Sequence, residues 1–224
     1  MKQLVIFDLD GTLVNSIDDL GNAANHALAK GGYPVHSLSA YPMFVGNGVR
    51  RLIERALPED ARIPEIVEPM LESFREYYDE HLTDATVPYT GIPELLRALV
   101  SADVMVAVAS NKYQAAVEKL VSSCFPDIPF CAVEGQKEGF PPKPAPSIVF
   151  EILAKVPTRK SKVLYCGDSG VDMETARRAC VDSCGVTWGF RPARELREAH
   201  ADSIVDHPVE ILDIVRRPGL ELDI

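Results

Sequence analysis

The sequence has no basic stripe, no long apolar run, no paired cysteines and no histidine cluster, and each absence removes a class of function. Asp and Glu outnumber Lys and Arg by 33 to 23, for a formal net charge of −10. Without a cluster of cations, nucleic acid and anionic membrane surfaces are not expected partners. No apolar run approaches the ~20 residues that span a bilayer. The N-terminal apolar run meets an acid at Asp8, so it reads as a strand and not as a secretory signal. The five cysteines (Cys124, Cys131, Cys166, Cys180, Cys184) are odd in number and contain no Cys-x-x-Cys. They read as free thiols, several of them in buried strands, in a reducing cytoplasm. The five histidines are scattered, with no His-x-His or His-Glu-x-x-His spacing to suggest zinc.

What is present is the make-up of a globular enzyme. The chain has 224 residues, 46% apolar and 25% charged, enough for one good-sized domain or two small ones. An acidic protein of this kind can still take an anionic substrate if a metal ion or local cations receive it.

The organising stretch is Leu4-Val5-Ile6-Phe7-Asp8-Leu9-Asp10-Gly11-Thr12-Leu13-Val14. Four apolar residues lead into two carboxylates with a fifth, Leu9, between them, and the alternation of a strand starts both acids on one side. Paired acids at the edge of an apolar strand are costly unless a cation or a proton lies between them. Asp10-Gly11 between apolar runs is also a hairpin signal, but the remainder of the chain argues for something else.

Residues 16–82 read as helices. Ile17, Leu20, Ala24, Ala27 and Leu28 form one stripe, ended by Gly31-Gly32. Val49, Leu52, Ile53, Ala56 and Leu57 form a second, stopped by Pro58; Ile66, Met70, Phe74, Tyr77 and His81 form a third, starting near Pro64. These stripes read as core. From residue 85 strands and helices alternate. The strands are Val104–Ala109, Phe130–Val133, Val163–Cys166, Ser183–Trp188 and Ser203–Val205. The helices are Lys112–Cys124, Ala145–Lys155, Val171–Val181, a short one, and a last one near Pro208–Arg216. Continuously apolar strands separated by helices predict an α/β fold, a Rossmann-like parallel sheet sandwiched by helices. The expected division is a core of residues 1–14 and 85–224 with an all-helical insertion of residues 15–84.

Functional groups in such sheets gather at the carboxyl ends of the strands. The first strand ends in Asp8 and Asp10, the second in Ser110-Asn111, and the fourth in Gly167-Asp168-Ser169-Gly170-Val171-Asp172; Lys143 stands in a proline-rich loop after the third. Read singly, Ser110-Asn111 is a helix N-cap pair, Lys143 sits in a polyproline spacer, and Asp168 and Asp172 are acids of a first helical turn. Read together on one edge, the carboxylate oxygens suit Mg²⁺. The lysine, hydroxyl and amide suit a phosphate.

Asp8-Leu9-Asp10-Gly11-Thr12-Leu13, Ser110-Asn111, Lys143-Pro144 and Gly167-Asp168-Ser169-Gly170-Val171-Asp172 resemble, in order, the four motifs of the haloacid dehalogenase superfamily. Val87-Pro88-Tyr89-Thr90-Gly91-Ile92-Pro93-Glu94-Leu95-Leu96 resembles the segment that re-enters the core, and the insertion resembles the family's small helical cap. The resemblance implies a nucleophile at Asp8 that forms an aspartyl-phosphate, and a general acid and base at Asp10. It implies Mg²⁺ held by Asp8, the backbone carbonyl of Asp10 and Asp168, and phosphoryl contacts from Ser110, Asn111 and Lys143. Gly11, Thr12, Ser169 and Asp172 are implied supports.

Phe44-Val45-Gly46-Asn47-Gly48-Val49-Arg50-Arg51 is similar to the cap loop of phosphoglycolate phosphatases. Gly46, Asn47, Gly48 and Arg50 are therefore expected to contact the non-phosphate end of a small phosphorylated metabolite, with 2-phosphoglycolate the first candidate. A phosphomutase of the β-phosphoglucomutase type shares these motifs. A phospho-accepting receiver module shares the aspartate chemistry but not the length or the helical insertion. Dehalogenating relatives lack the second acid, which is present here as Asp10.

Overall fold

The computed structural model describes residues 1–46 and 48–217. Leu4–Phe7 form the first strand, β1, and all four side chains are fully buried. A strand apolar on both faces belongs in the middle of a covered sheet, and β1 has a neighbour on each side. Two short strands, β2 (Val14–Asn15) and β3 (Val87–Pro88), pair antiparallel away from it. The main sheet continues with β4 (Met105–Tyr113), β5 (Ala132–Gln136), β6 (Val163–Gly167), β7 (Asp182–Val186) and β8 (Ser203–Val205). Its six strands run in the order β5-β4-β1-β6-β7-β8, and every pairing is parallel. The chain moves outward from β1 through β4 to β5 and then crosses back to β6 on the other side of β1. That reversal places the ligand crevice over the carboxyl end of β1.

Alternation along β1 divides the core. Val5 and Phe7 pack into one apolar cluster, Leu4 and Ile6 into another. The first cluster is covered by α4 (Ile92–Ser101), α5 (Gln114–Cys124) and α9 (Glu210–Arg216), the second by α6 (Ser147–Lys155) and α7 (Gly170–Ala179). A short α8 (Ala193–Glu198) follows β7. The five cysteines are all free. Among the described residues no helix is long and apolar enough to cross a membrane.

The helices between β2 and β3 are α1 (Ile17–Lys30), α2 (Gly48–Ala56) and α3 (Pro64–His81). Leu20, Ala24 and Leu28 of α1 share one apolar cluster with Leu52 and Ile53 of α2 and with Met70, Leu71 and Phe74 of α3. The cluster is continuous with the first core face, so this layer sits directly on the sheet's edge. Asp19 ties the two chain crossings together. Its buried carboxylate accepts from Ala85 N at 3.0 Å, Thr86 N at 2.8 Å and Thr86 Oγ1 at 2.7 Å.

Two boundaries depart from the sequence expectation in ways that matter. β4 runs past Ala109 to Tyr113, and α5 starts only at Gln114. The pairing with β5 shifts register between Ala109 and Tyr113. This irregularity lets the strand carry Ser110, Asn111 and Lys112 along the edge before the helix begins, so Ser110-Asn111 is not a helix cap. In α3 the fully buried aromatic after Phe74 is Tyr78, four residues on, where Tyr77 was expected.

Glu134 at the centre of β5 is fully buried and pairs with Lys137 at 2.5 Å and with Lys155 of α6. Lys137 also reaches Glu151 at 2.9 Å. The network fastens the start of the loop that delivers Lys143. Burial pushes the Glu134 carboxyl up, but Lys137 and Lys155 outweigh it and hold it below its ordinary value. An acid whose folded pKa is depressed adds stability above the unfolded value of about 4.3, and that stability is lost as pH falls through the folded value. Glu134→Gln is expected to cost on the order of 2 kcal/mol at neutral pH, seen as a thermal midpoint lower by about 5 °C. The deficit should shrink below pH 4.

Candidate active site

Three carboxylates and an ammonium meet beyond β1. Asp8, Asp168 and Asp172 each bring one oxygen within 4.8 Å of the others. Asp8 is the first residue after β1, and Asp168 the first after β6, so adjacent parallel strands deliver them side by side. Lys143 Nζ lies 2.9 Å from Asp8 Oδ1, 2.7 Å from Asp172 Oδ1 and 3.0 Å from Ala109 O. Its loop is held by Asn111, whose Oδ1 accepts from Lys143 N at 2.7 Å and whose Nδ2 donates to Lys143 O at 3.1 Å. Ser169 caps α7 in a capping box: Asp172 N donates to Ser169 Oγ at 3.4 Å, and Ser169 N and Oγ donate to Asp172 Oδ2 at 3.2 and 2.5 Å. Asp172 thus has one oxygen on Lys143 and the other on Ser169.

The backbone closes tightly on Asp168. Gly11 has φ +84°, and a Cβ there would fall on the Asp168 carboxylate. A Cβ on Gly189 would fall on Asp168 Cβ and Gly11 O. Only hydrogen fits at both positions. Phe190 N donates to Asp168 Oδ2 at 2.7 Å. Thr12 is buried, and its carbonyl accepts from Trp188 Nε1 at 3.0 Å.

The charges are unbalanced. Burial, followed by the neighbouring Asp172 and Asp10, pushes Asp8 up to about 7 against the pull of Lys143. Burial, then Asp172 and Asp8, raise Asp168 well above the carboxylate range, with Phe190 N–H and Lys143 opposing. Lys143 suffers the same burial, yet Asp172 and Asp8 raise it on balance. One buried cation among several acids leaves an excess of negative charge that a divalent ion would relieve. The donors are all oxygen, which fits Mg²⁺. Since Asp172 is already engaged at both oxygens, Asp8 and Asp168 are the side chains best placed to hold it.

Asp10 is separate from this cluster. Ser16 Oγ donates to its Oδ1 at 2.5 Å, and Lys112 Nζ grips both its oxygens at 2.8 and 2.9 Å. Burial pulls Lys112 down, but Asp10 and Tyr78 raise it on balance. Ser110 is buried nearby, its Oγ accepting from Lys112 N at 3.2 Å.

A pocket joins these groups to the helical layer, with Gly46, Gly48, Leu52 and Tyr78 lining it opposite Asp8, Lys112 and Lys143. Gly46 and Gly48 both have positive φ, +118° and +82°, which only glycine adopts freely. Arg191 spans the gap from the core, its Nη2 donating to Val45 O at 2.6 Å. The structure therefore brings together Asp8, Asp10, Gly11, Ser110, Asn111, Lys143, Asp168, Ser169, Asp172, Gly46 and Gly48. Asn47 lies outside the described residues. Arg50 is not brought in: its half-exposed guanidinium pairs with Glu68, because Val49, Leu52 and Ile53 turn the inner face of α2 and leave Arg50 beyond it.

Sequence reasoning did not find Lys112, Tyr78, Gly189 or Arg191. Lys112 opens the helix expected from the sequence, whereas the structure places it in β4 directly after Ser110-Asn111. Gly189 and Arg191 follow the strand β7 at the same sheet edge, and that position was the available signal.

A parallel α/β sheet with acids and lysines gathered at its carboxyl edge under a helical layer has the architecture of an enzyme active site. The haloacid dehalogenase-like hydrolase family matches residues 5–186, and the chain belongs to that family. The chain is 32% identical, over its whole length and 82% of the relative's, to a phosphoglycolate phosphatase of Pseudomonas savastanoi pv. phaseolicola. It is 29% identical to that of Mesorhizobium japonicum, over 92% of this chain and 91% of the relative. A solved structure of a candidate phosphoglycolate phosphatase from Lactobacillus delbrueckii subsp. bulgaricus matches with a TM-score of 0.90 at 32% identity, covering 96% of this chain and 99% of the other. In sequence and fold the chain is a phosphoglycolate phosphatase-like hydrolase.

Proposed function

We propose that the protein is a Mg²⁺-dependent phosphatase that hydrolyses a small phosphomonoester, 2-phosphoglycolate, through an aspartyl-phosphate on Asp8. The observation that carries this reading is the meeting of Asp8, Asp168 and Asp172 within 4.8 Å around the Lys143 ammonium. A carboxylate at the head of the site, with a lysine and a serine beside it, is the arrangement that in-line attack on phosphorus requires.

One oxygen of Asp8 attacks phosphorus, and the bond to the ester oxygen breaks. Asp10 gives that oxygen a proton as it leaves. Asp10 then takes a proton from a water molecule, the water oxygen attacks the aspartyl-phosphate, and phosphate departs with Asp8 restored. Lys143 and Ser110 hold the phosphoryl oxygens and stabilise the charge that develops on them. Asn111 holds Lys143 in place through the loop backbone, and Asp172 through its charge. Asp8, Asp168 and the backbone carbonyl of Asp10 would hold Mg²⁺, whose charge would offset the repulsion between Asp8 and the phosphate.

The helical layer of residues 15–84 acts in this reading as a cap. The pocket beneath it is walled on the helical side by Leu20, Val45, Leu52 and Tyr78, which favours a substrate with a short tail. The test is phosphate release from 2-phosphoglycolate. With millimolar Mg²⁺ it should be steady; EDTA should lower it at least ~100-fold, and added Mg²⁺ should restore it. Turnover that persists after divalent ions are stripped would overturn the metal-dependent mechanism.

A further inference from the structure

We propose that Lys112, together with the Tyr78 hydroxyl, forms the subsite that recognises a carboxylate on the tail of the substrate. The proposal rests on the phosphatase reading and adds to it the residues that select the substrate. Two buried lysines line the same pocket. Lys143 is held among Asp8, Asp172 and Ala109 O, where the phosphoryl group is to be transferred. Lys112 stands on the far side of Asp10, toward the helical layer, and only 3% of its side chain is exposed. It is therefore a second cation that the phosphoryl step does not use.

Tyr78 supplies an independent observation. The residue is fully buried at the pocket wall, and its hydroxyl makes no hydrogen bond of good geometry, the Lys112 ammonium being the polar group that faces it. Native structures rarely leave such a group unpaired. The Lys112 ammonium lies 5.0 Å from the centre of the Tyr78 ring. An oxygen anion placed between the two would take one hydrogen bond from the ammonium and one from the hydroxyl. The ammonium has three donors and can hold the substrate and Asp10 together or exchange one for the other.

The chemistry of the substrate fixes the distance. In 2-phosphoglycolate a single methylene separates the ester oxygen from the carboxyl carbon. Asp10 protonates that ester oxygen, so a cation resting on Asp10 is within reach of the carboxylate. The neighbouring Leu20, Val45 and Leu52 make this end of the pocket apolar, which strengthens a charge-assisted hydrogen bond and disfavours a neutral tail that cannot answer the ammonium. The other cation at the pocket wall, Arg191, is directed elsewhere, to Val45 O. Because Lys112 belongs to β4 and Tyr78 to α3, a bound carboxylate joins the core to the helical layer.

The experiment compares kcat/KM for 2-phosphoglycolate and for ethyl phosphate, which has the same ester oxygen and no carboxylate. The wild-type ratio is expected to be at least ~100, since a site built for an anion rejects an analogue that lacks it. Lys112→Met should lower the ratio at least ~10-fold and Lys112→Arg should lower it less. Tyr78→Phe, which deletes one oxygen and keeps the packing, should lower it about 5-fold and decides the matter if Lys112→Met fails to fold. Equal losses on both substrates, with the ratio unchanged, would show that Lys112 serves only Asp10 and would overturn the proposal. A wild-type ratio near one would overturn the subsite and the choice of 2-phosphoglycolate together. Phosphate release that Asp8→Asn abolishes would still leave the phosphatase reading standing.

Discussion

Asp8→Asn is expected to lower phosphate release by at least ~10⁴-fold while the protein stays folded. The amide keeps the shape of the side chain and cannot attack phosphorus. Its effect on stability should run opposite to its effect on activity. Burial and the adjacent Asp172 and Asp10 push the Asp8 carboxyl up to about 7. An acid whose folded pKa lies above the unfolded value of about 3.9 weakens the fold as pH rises from that value through the folded one. In metal-free protein at pH 8, Asp8→Asn should therefore raise the thermal midpoint, and near pH 4 the gain should vanish. Added Mg²⁺ should raise the midpoint of the wild type more than that of the variant, because the variant has lost one of the ligating oxygens. A variant that still turns over at a tenth of the wild-type rate would rule out Asp8 as the nucleophile. A midpoint that falls at pH 8 would show that the Asp8–Lys143 pair outweighs the burial and repulsion.

Lys143→Met should damage both activity and stability. The ammonium is the buried counter-charge shared by Asp8 and Asp172, and its side chain is 2% exposed. Removing one partner of a buried ion pair strands the other, at a cost of about 3–5 kcal/mol. The thermal midpoint should fall by about 10 °C. Phosphate release should fall at least ~10³-fold, since a donor aimed at the transferring oxygens is lost as well. The double variant Lys143→Met with Asp172→Asn separates the two effects. Removing the stranded carboxylate should recover part of the lost stability and none of the activity. Recovery of activity would show that Lys143 acts through Asp172 and not on the phosphoryl group.

The parts of this protein that were legible in the sequence are those fixed by local periodicity and by strand ends. Leu4–Phe7 is apolar at every position, and that is enough to place it mid-sheet with Asp8 at its carboxyl end. Val163–Gly167 followed by Asp168 repeats the logic one strand over. What stayed hidden depends on contacts distant in sequence. Lys112 belongs to a strand only because β5 holds that stretch extended through a shifted register, and helix-favouring residues beyond it argued the other way. Tyr77 and Tyr78 are both aromatic and adjacent, and only packing against α1 and α2 chooses which is buried. Arg50 sits beside the apolar stripe of α2, where a shift of one position in helical phase separates the pocket from solvent. Arg191 could be placed only once Val45 was seen opposite it.

The two connections between sheet and helices leave and return as neighbours, with Val14 opposite Pro88 and Asn15 opposite Val87. Every covalent link to the helical layer passes through that one narrow seam. A chain rejoined there by a short turn would have its ends already in place, although excision would bare the apolar face that the helices share with the sheet. Grafting a foreign lid onto the same seam would keep the reacting carboxylates and exchange the walls that choose the guest. Transplants between relatives should then carry selectivity with the lid, save for what Lys112 contributes from the floor.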